Sequence, residues 1–87
     1  MSVSLELFIV VHSSADIRKA EDILYKHHDN FIVKGALEGN WKGSPEEMLW
    51  VVVVDLELAI YDTVRELKQE LDLDYLPIGD EGNVKEW

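Results

Sequence analysis

The stretch Met48-Leu49-Trp50-Val51-Val52-Val53-Val54-Asp55 decides the fold. Its four consecutive valines are β-branched, and such side chains favour a strand over a helix. Both faces of the run are apolar, which predicts a strand that is buried on both sides or covered by a partner. The run is too short to cross a membrane, because a membrane-spanning helix needs about 20 apolar residues. We expect it to form a central strand of one small sheet.

The length of 87 residues predicts one domain over residues 1–79 and a short acidic tail over 80–87. A domain of this size has a small core, so a dimer interface is a useful supplement to its stability. The chain has no cysteine, which excludes disulfides, thiolate zinc sites, iron–sulfur clusters and cysteine nucleophiles. The first four residues carry no basic side chain of the kind that opens a signal peptide. We therefore expect a cytoplasmic protein.

The formal net charge of −10 is unevenly distributed along the chain. Residues 1–43 hold six acids and five bases, whereas residues 44–87 hold twelve acids and three bases. Such concentration in one half predicts a directional electric field, which repels nucleic acid and anionic membranes and attracts a basic partner. The alternative is a solvated acidic surface that serves solubility alone.

The first half of the chain predicts a strand, a helix and a second strand. Residues 5–11 are apolar and form the first strand. Ser13 and Asp16 fit a capping box that opens the first helix. Residues 31–38 form the second strand, with an irregular extension to Trp41. Alternation places three of its residues on one face (Phe31, Val33 and Leu37) and two on the other (Lys34 and Glu38).

The second half predicts a turn at residues 43–46, the Met48 strand, a helix and a last strand. Asp55 is expected to cap the second helix. The apolar stripe of that helix has spacings of four, three and four residues: Ile60, Val64, Leu67 and Leu71. Residues 75–78 form the last strand, and Pro77 predicts that this strand lies at a sheet edge, because proline has no N–H to donate.

The predicted order is therefore β-α-β-β-α-β. Right-handed crossovers bring the first and third strands together in the middle of the sheet. This arrangement resembles the ferredoxin-like superfold over nearly the whole chain. The resemblance implies an α+β fold with a four-stranded antiparallel sheet of order 4-1-3-2 and both helices on one face. A superfold hosts many functions and transfers none of them.

The sheet face without helices is the first candidate site. Glu6 and Lys34 are expected to mark that face, and five apolar or aromatic residues are predicted to share it: Phe8, Val10, Trp50, Val52 and Tyr75. An exposed aromatic cluster usually marks an interface. We expect the protein to form a homodimer through this face. Another partner, a small ligand, and coverage by the tail or by the hairpin around Trp41 remain open as alternatives.

The sequence contains only weak signals of a catalytic, metal-binding, phosphate-binding or RNA-binding site. The open-face aromatics resemble those of RNA-recognition domains, but the basic glycine-aromatic motif is missing and the charge is negative. Acylphosphatases share the strand order, yet the stretch 12–15 lacks their glycine-rich phosphate loop. His27 and His28 are adjacent, so on a helix they diverge by about 100° and cannot chelate one ion together. His12 and Ser13 have no third orienting group in the sequence. We expect no catalysis, no metal and no cofactor.

The sequence thus predicts a small acidic, non-enzymatic interaction module that inhibits or regulates a partner by binding its basic, nucleic-acid-binding surface. Small size, acidity and absent cysteine look like phage or mobile-element inhibitors, including nucleic-acid mimics. The acidic residues expected to meet the partner are Glu46, Glu47, Asp62, Glu66, Glu70, Asp72, Asp74, Asp80 and Glu81. Direct contact with nucleic acid or membrane is not expected. The alternative is a dimeric regulatory domain, resembling ACT-type modules, that binds a small molecule.

Overall fold

The chain folds into one antiparallel sheet of five strands and two helices, as a computed structural model shows. The model describes residues 1–41 and 44–87, and of residues 40, 41 and 44–46 it describes the backbone alone. The strands are β1 (Ser2–Val10), β2 (Phe31–Trp41), β3 (Ser44–Leu56), β4 (Pro77–Asp80) and β5 (Asn83–Glu86). The helices are α1 (Ser14–His27) and α2 (Glu57–Glu70). Of the turn predicted at 43–46, residue 43 lies outside the described residues. The prediction is wrong for residues 44–46, because their backbone pairs with β2 as the first part of β3.

The strands lie side by side in the order β2-β3-β1-β4-β5, and every neighbouring pair is antiparallel. The two most apolar strands, β1 and β3, pair with each other inside the sheet, as predicted for the valine run. The α+β class, the antiparallel sheet and the two helices are confirmed. The predicted number of four strands is wrong, because a fifth strand extends one edge.

The fifth strand comes from the stretch that the sequence analysis assigned to a polar tail. Glu81 and Gly82 both have positive φ, at 50° and 85°, and form a two-residue hairpin turn of the kind that matches strand twist. Beyond β5, Trp87 exchanges two backbone hydrogen bonds with Leu76, of 2.6 and 3.1 Å. The edge position predicted for Pro77 is therefore wrong, because β4 lies between β1 and β5. Pro77 is tolerated there as the first residue of its strand.

Both helices pack on the same face of the sheet. Alternate strand residues such as Leu7 and Val51 are completely buried against helix residues such as Leu24 and Ile60. The buried cluster continues through other alternate positions and through the apolar stripes of the helices: Leu5, Ile9, Leu49, Val53, Ala20, Ile23, Val64, Leu67, Leu76 and Ile78. Neither described helix is long and apolar enough to cross a membrane. The opposite sheet face is left without a helix.

The two helices begin differently. The Ser13 hydroxyl accepts a hydrogen bond from the Asp16 N–H at 3.2 Å, and the Asp16 carboxylate accepts one from the His12 N–H at 2.9 Å. This confirms the predicted capping box. The predicted Asp55 cap is wrong: Leu56 occupies the N-cap of α2 without a side-chain bond. Asp55 belongs instead to β3, where its carboxylate faces α1.

A β-bulge changes the faces of β2. The pairing register with β3 shifts between Val33 and Gly35, so Lys34 has no partner in the ladder. Because of this extra residue, Leu37 pairs with Met48 on the helix-free face, although Phe31 pairs with Val53 on the core face. The prediction that Leu37 shares a face with Phe31 and Val33 is therefore wrong. Gly35, with a φ of +145°, adopts a backbone conformation that other residues rarely reach.

Candidate interaction surface

The open face is defined here as the sheet face opposite the helices. Phe8 on β1 and Trp50 on β3 are direct cross-strand partners on it, and their rings stack with centroids 6.4 Å apart and planes at 16°. Val10 and Val52 lie on the same face, opposite Met48 and Glu6 respectively. The structure thus brings together four of the five residues that the sequence analysis named for this face. Tyr75 is half-buried and precedes β4, outside the ladder pairs that define the face.

The accessible part of the open face differs from the predicted set. Phe8, Trp50 and Val52 are half-buried, whereas Val10 is only 5% exposed and offers little to a partner. Alternation along β3 also places the exposed Val54 on this face, beside Val52. Sequence reasoning missed four further large exposed apolar side chains that the ladder pairs place there: Ile32, Leu37, Leu56 and Val84. Ile32 could have been found from strand alternation, but Val84 required knowledge of β5 and Leu37 required the bulge. The result is a broad apolar surface around the Phe8–Trp50 stack.

Glu6 lies within this apolar surface. It sits between Val52 of β3 and Gly79 of β4 and is half-buried. A Cβ at Gly79 would lie 2.9 Å from Glu6 Oε2 and 3.4 Å from Phe8 Cε2, so both side chains cover the Gly79 backbone. In the described part of the chain no cation or hydrogen-bond donor pairs with the Glu6 carboxylate. The open face therefore combines aromatic surface with the negative charge of Glu6, which no described cation compensates.

The indole nitrogen of Trp50 is a second unsatisfied group on this face. Trp50 Nε1 is shielded from solvent and meets no acceptor among the described residues. A buried donor without a partner costs about 1–3 kcal/mol, so native structures rarely keep one without a reason. Glu6 and Trp50 together give the open face one acceptor and one donor that have no partner within the described protein.

The three acids of α2 that are expected to meet a partner differ in their contacts. Glu66 accepts hydrogen bonds from Lys26 Nζ at 3.0 Å and from His27 Nε2 at 3.3 Å, and so joins α2 to α1. The Lys26 ammonium, and then the His27 ring, hold the pKa of Glu66 below its ordinary value. Asp62 and Glu70 remain exposed, and Asp62 lies 3.5 Å from Arg65. Glu66 therefore has a structural contact, whereas Asp62 and Glu70 face solvent.

The other predicted acids divide between the two ends of α2. Asp80 and Glu81, in the β4–β5 turn, line one hollow together with Glu57 at the start of the helix. Asp72 and Asp74 follow the end of the helix and are exposed. Glu47 is exposed on β3, and the side chain of Glu46 lies outside the described residues. Of these acids, the ones whose side chains the structure describes are not among the ladder-paired residues of the open face, whereas Glu6 lies beside Phe8 on that face.

The histidines at the end of α1 are held by neighbouring side chains. The buried ring of His28 meets Asp55 Oδ2 at 2.7 Å through Nδ1 and Thr63 Oγ1 at 2.6 Å through Nε2. The bond from His28, followed by one from the Leu56 N–H, lowers the pKa of Asp55. Thr63 is completely buried and donates to the Ala59 carbonyl at 3.0 Å, so its hydroxyl is not offered to a substrate. In the described part of the chain, no group of three or more potential ligands is placed to hold a metal ion.

Comparison with models of known protein families, with curated proteins and with solved structures finds no match to this chain. Its function is therefore inferred from its own surface. Two properties distinguish that surface: a broad apolar sheet face with a stacked aromatic pair, and the Glu6 carboxylate within it, which has no partner among the described residues.

Proposed function

We propose that the protein is a small, acidic, non-enzymatic interaction module of the cytoplasm, and that its open face binds a partner protein with a basic surface. The observation that carries the proposal is the helix-free face on which Glu6, without a cation partner among the described residues, lies next to Phe8 of the Phe8–Trp50 stack. Binding rather than catalysis is favoured because the Asp55–His28–Thr63 contacts, which superficially resemble a catalytic triad, end at a buried hydroxyl.

The size and chemistry of the open face support an interface. The two longer extents of the molecule are 37 and 28 Å, which leaves room for the roughly 800 Å² per partner of a standard interface. Contiguous exposed apolar surface of this kind marks binding sites in soluble proteins. Aromatic side chains near the centre of such a surface contribute much of the binding energy when a partner covers them, and Trp50 and Phe8 hold that position.

The charges favour a basic partner over a second copy of the chain. Among described residues in ladder pairs, the charged side chains on the open face are Glu6 and Glu86, both acidic. Two copies packed face to face would bury two Glu6 carboxylates beside no ladder-paired cation of the described residues, which is unfavourable. Lys34 is exposed at the bulge of the edge strand β2, where it has no ladder partner. A lysine or arginine from another protein would instead pair with Glu6, and the net charge of −10 would speed its approach. Basic surfaces commonly bind nucleic acid, so the module would act as an inhibitor that competes with DNA or RNA, as phage-encoded mimics do.

We further propose that the first four strands and both helices form a ferredoxin-like core, to which β5 is an addition. Support comes from the sheet order, because β2-β3-β1-β4 reads backwards as 4-1-3-2. In this view β5 widens the open face, since Val84 pairs with Gly79 on that side.

The proposal is tested by affinity capture from a lysate of the organism that encodes the chain, with three baits compared at low and moderate salt. The baits are the unaltered protein, Trp50→Glu on the open face, and Leu58→Glu on α2. Leu58 is 77% exposed on the helix layer, so its variant is a matched control for adding a charge at an apolar site. We expect a basic protein that the unaltered and Leu58→Glu baits retain and the Trp50→Glu bait loses. Equal retention by all three baits would contradict the proposal.

A second candidate, a dimeric regulatory domain that resembles ACT-type modules and binds a small molecule, has one observation in its favour. A hollow of about 190 Å³ lies at the rim of the open face, where a dimer would enclose it. The hollow is lined by Asp29, Asn30, Phe31, Ile32, Val52 and Val54. Sedimentation velocity of the protein alone discriminates the two candidates. A monomer at micromolar concentration agrees with the basic-partner proposal, whereas a dimer that Trp50→Glu dissociates favours this second candidate.

A further inference from the structure

A second hollow lies on the helix layer, on the other side of the sheet from the open face. Its volume is about 200 Å³, and it is lined by Tyr61, Val64, Arg65, Lys68 and Trp87. Tyr61, Arg65 and Lys68 follow the i, i+4, i+7 spacing, which places them along one side of α2. The Trp87 ring stacks on Tyr61 with centroids 3.9 Å apart and planes at 16°. Backbone bonds between Trp87 and Leu76 fix the position of this aromatic wall.

The cations around this hollow are unusual for so acidic a chain. Residues 44–87 contain twelve acids but only three bases, Arg65, Lys68 and Lys85. Arg65 and Lys68 line the hollow, and Lys85 precedes Trp87 by two residues on the same side of β5, because it pairs with the core residue Ile78. Lys68 forms no ion pair in the described part of the chain. Arg65 meets Asp62 at 3.5 Å with both side chains exposed, a contact that contributes little.

The remaining walls of the hollow are apolar. Val64 is buried beneath it and has no polar side-chain atom. The Tyr61 hydroxyl donates a hydrogen bond to Glu57 Oε1 at 2.5 Å, and Glu57 does not line the hollow. The hydroxyl hydrogen is therefore not offered to a ligand. The hollow therefore brings aromatic ring surface together with two positively charged side chains.

We infer that this hollow binds a small aromatic carboxylate, with the ring against Trp87 and the carboxylate at Arg65 and Lys68. Its volume suits one ring, since an apolar cavity of about 150 Å³ admits benzene and multi-ring ligands need about 300 Å³ or more. An inorganic anion would leave the aromatic wall unused, and an uncharged ring would leave both cations unused. This site lies on the opposite layer from the open face and does not depend on the function proposed for that face.

The test is a titration of the ¹⁵N-labelled protein followed by NMR, with benzoate, benzamide and inorganic phosphate as three separate probes. We expect benzoate to shift the Trp87 indole signal and the Arg65 and Lys68 amides saturably, with a Kd on the order of 1 mM. Benzamide and phosphate should bind at least about tenfold more weakly, because benzamide lacks the negative charge and phosphate lacks the aromatic ring.

Variants locate the site. Lys68→Gln and Arg65→Gln should each weaken benzoate binding by about tenfold, since each removes one charge-assisted contact. Lys19→Gln, an exposed lysine of α1, is the matched control and should leave the titration unchanged. The amide spectrum of each variant reports whether it remains folded. Absence of saturable shifts with benzoate, equal binding of phosphate, or unchanged binding by both folded variants would overturn the inference.

Discussion

Phe8 and Trp50 face each other across β1 and β3 with their rings stacked, and they do so on the one side of the sheet that no helix covers. Their immediate neighbours Leu7 and Val51 are also cross-strand partners, and they are completely buried under the helices. A step of one residue along either strand therefore separates the core from the proposed interface.

This contrast predicts different effects of two adjacent substitutions. Leu7→Ala should lower the free energy of unfolding by about 2–5 kcal/mol, because it empties part of a closed core. Phe8→Ala should lower it by less than about 2 kcal/mol, because the ring is already partly in water. Urea denaturation of both variants measures the two values. A loss for Phe8→Ala as large as that for Leu7→Ala would mean that Phe8 is a core residue and not a binding one.

Two acids of α2 should respond differently to neutralisation. Glu66→Gln should lower the melting temperature near neutral pH, because it removes the contacts with Lys26 and His27 that join the helices. The control Glu70→Gln, on the exposed side of the same helix, should leave the melting temperature unchanged or slightly raised. Calorimetry of the two variants under one buffer condition makes the comparison. Equal melting temperatures would show that the Glu66 contacts add nothing to stability.

The stability of the protein should fall in acid, and Asp55 should contribute to that fall. The His28 ring and the Leu56 N–H lower the pKa of Asp55, so the unfolded chain binds a proton there more readily than the folded one. This contribution is complete above the unfolded pKa of about 4 and disappears as pH falls through the lower, folded pKa. Asp55→Asn should accordingly flatten the decrease in unfolding free energy between about pH 5 and pH 2. An acid dependence identical to that of the unaltered protein would contradict this role.

Local patterns predicted much of the fold. The valine run, the Ser13–Asp16 capping box and the apolar helix stripes each combine a residue type with a spacing that few structures satisfy, and the structure has all three. The incorrect predictions concern residues whose secondary structure depends on contacts with parts of the chain that are distant in sequence. Asp55 has the side chain of a helix cap, but His28 and strand pairing with Val3 hold it in β3. The residues of β5 are polar, and they form a strand because β4 and the positive-φ turn at Glu81 and Gly82 provide a template.

The sequence also predicted the centre of the candidate interaction surface, but not its full extent. Alternation from Glu6 placed Phe8, Val10, Trp50 and Val52 on one face, because period-two spacing determines the side of a strand. The bulge at Lys34 could not be read from the sequence, so Leu37 was assigned to the wrong face. The contacts of Glu66 also required tertiary information, since only the packing of α1 against α2 reveals that this acid is paired with Lys26.

Binding at the open face is tested by the footprint of a captured basic partner on the labelled protein. The partner is added to protein that carries ¹³C methyl groups and ¹⁵N-labelled indole rings, and a Trp50→Phe variant assigns the Trp50 signal. We expect the Trp50 indole and the methyl groups of Ile32 and Val52 to shift or broaden, while the Leu58 methyl groups on α2 stay unchanged. Shifts confined to α2 residues such as Leu58, with Trp50 and Val52 unaffected, would contradict this expectation and place the interface on the helix layer.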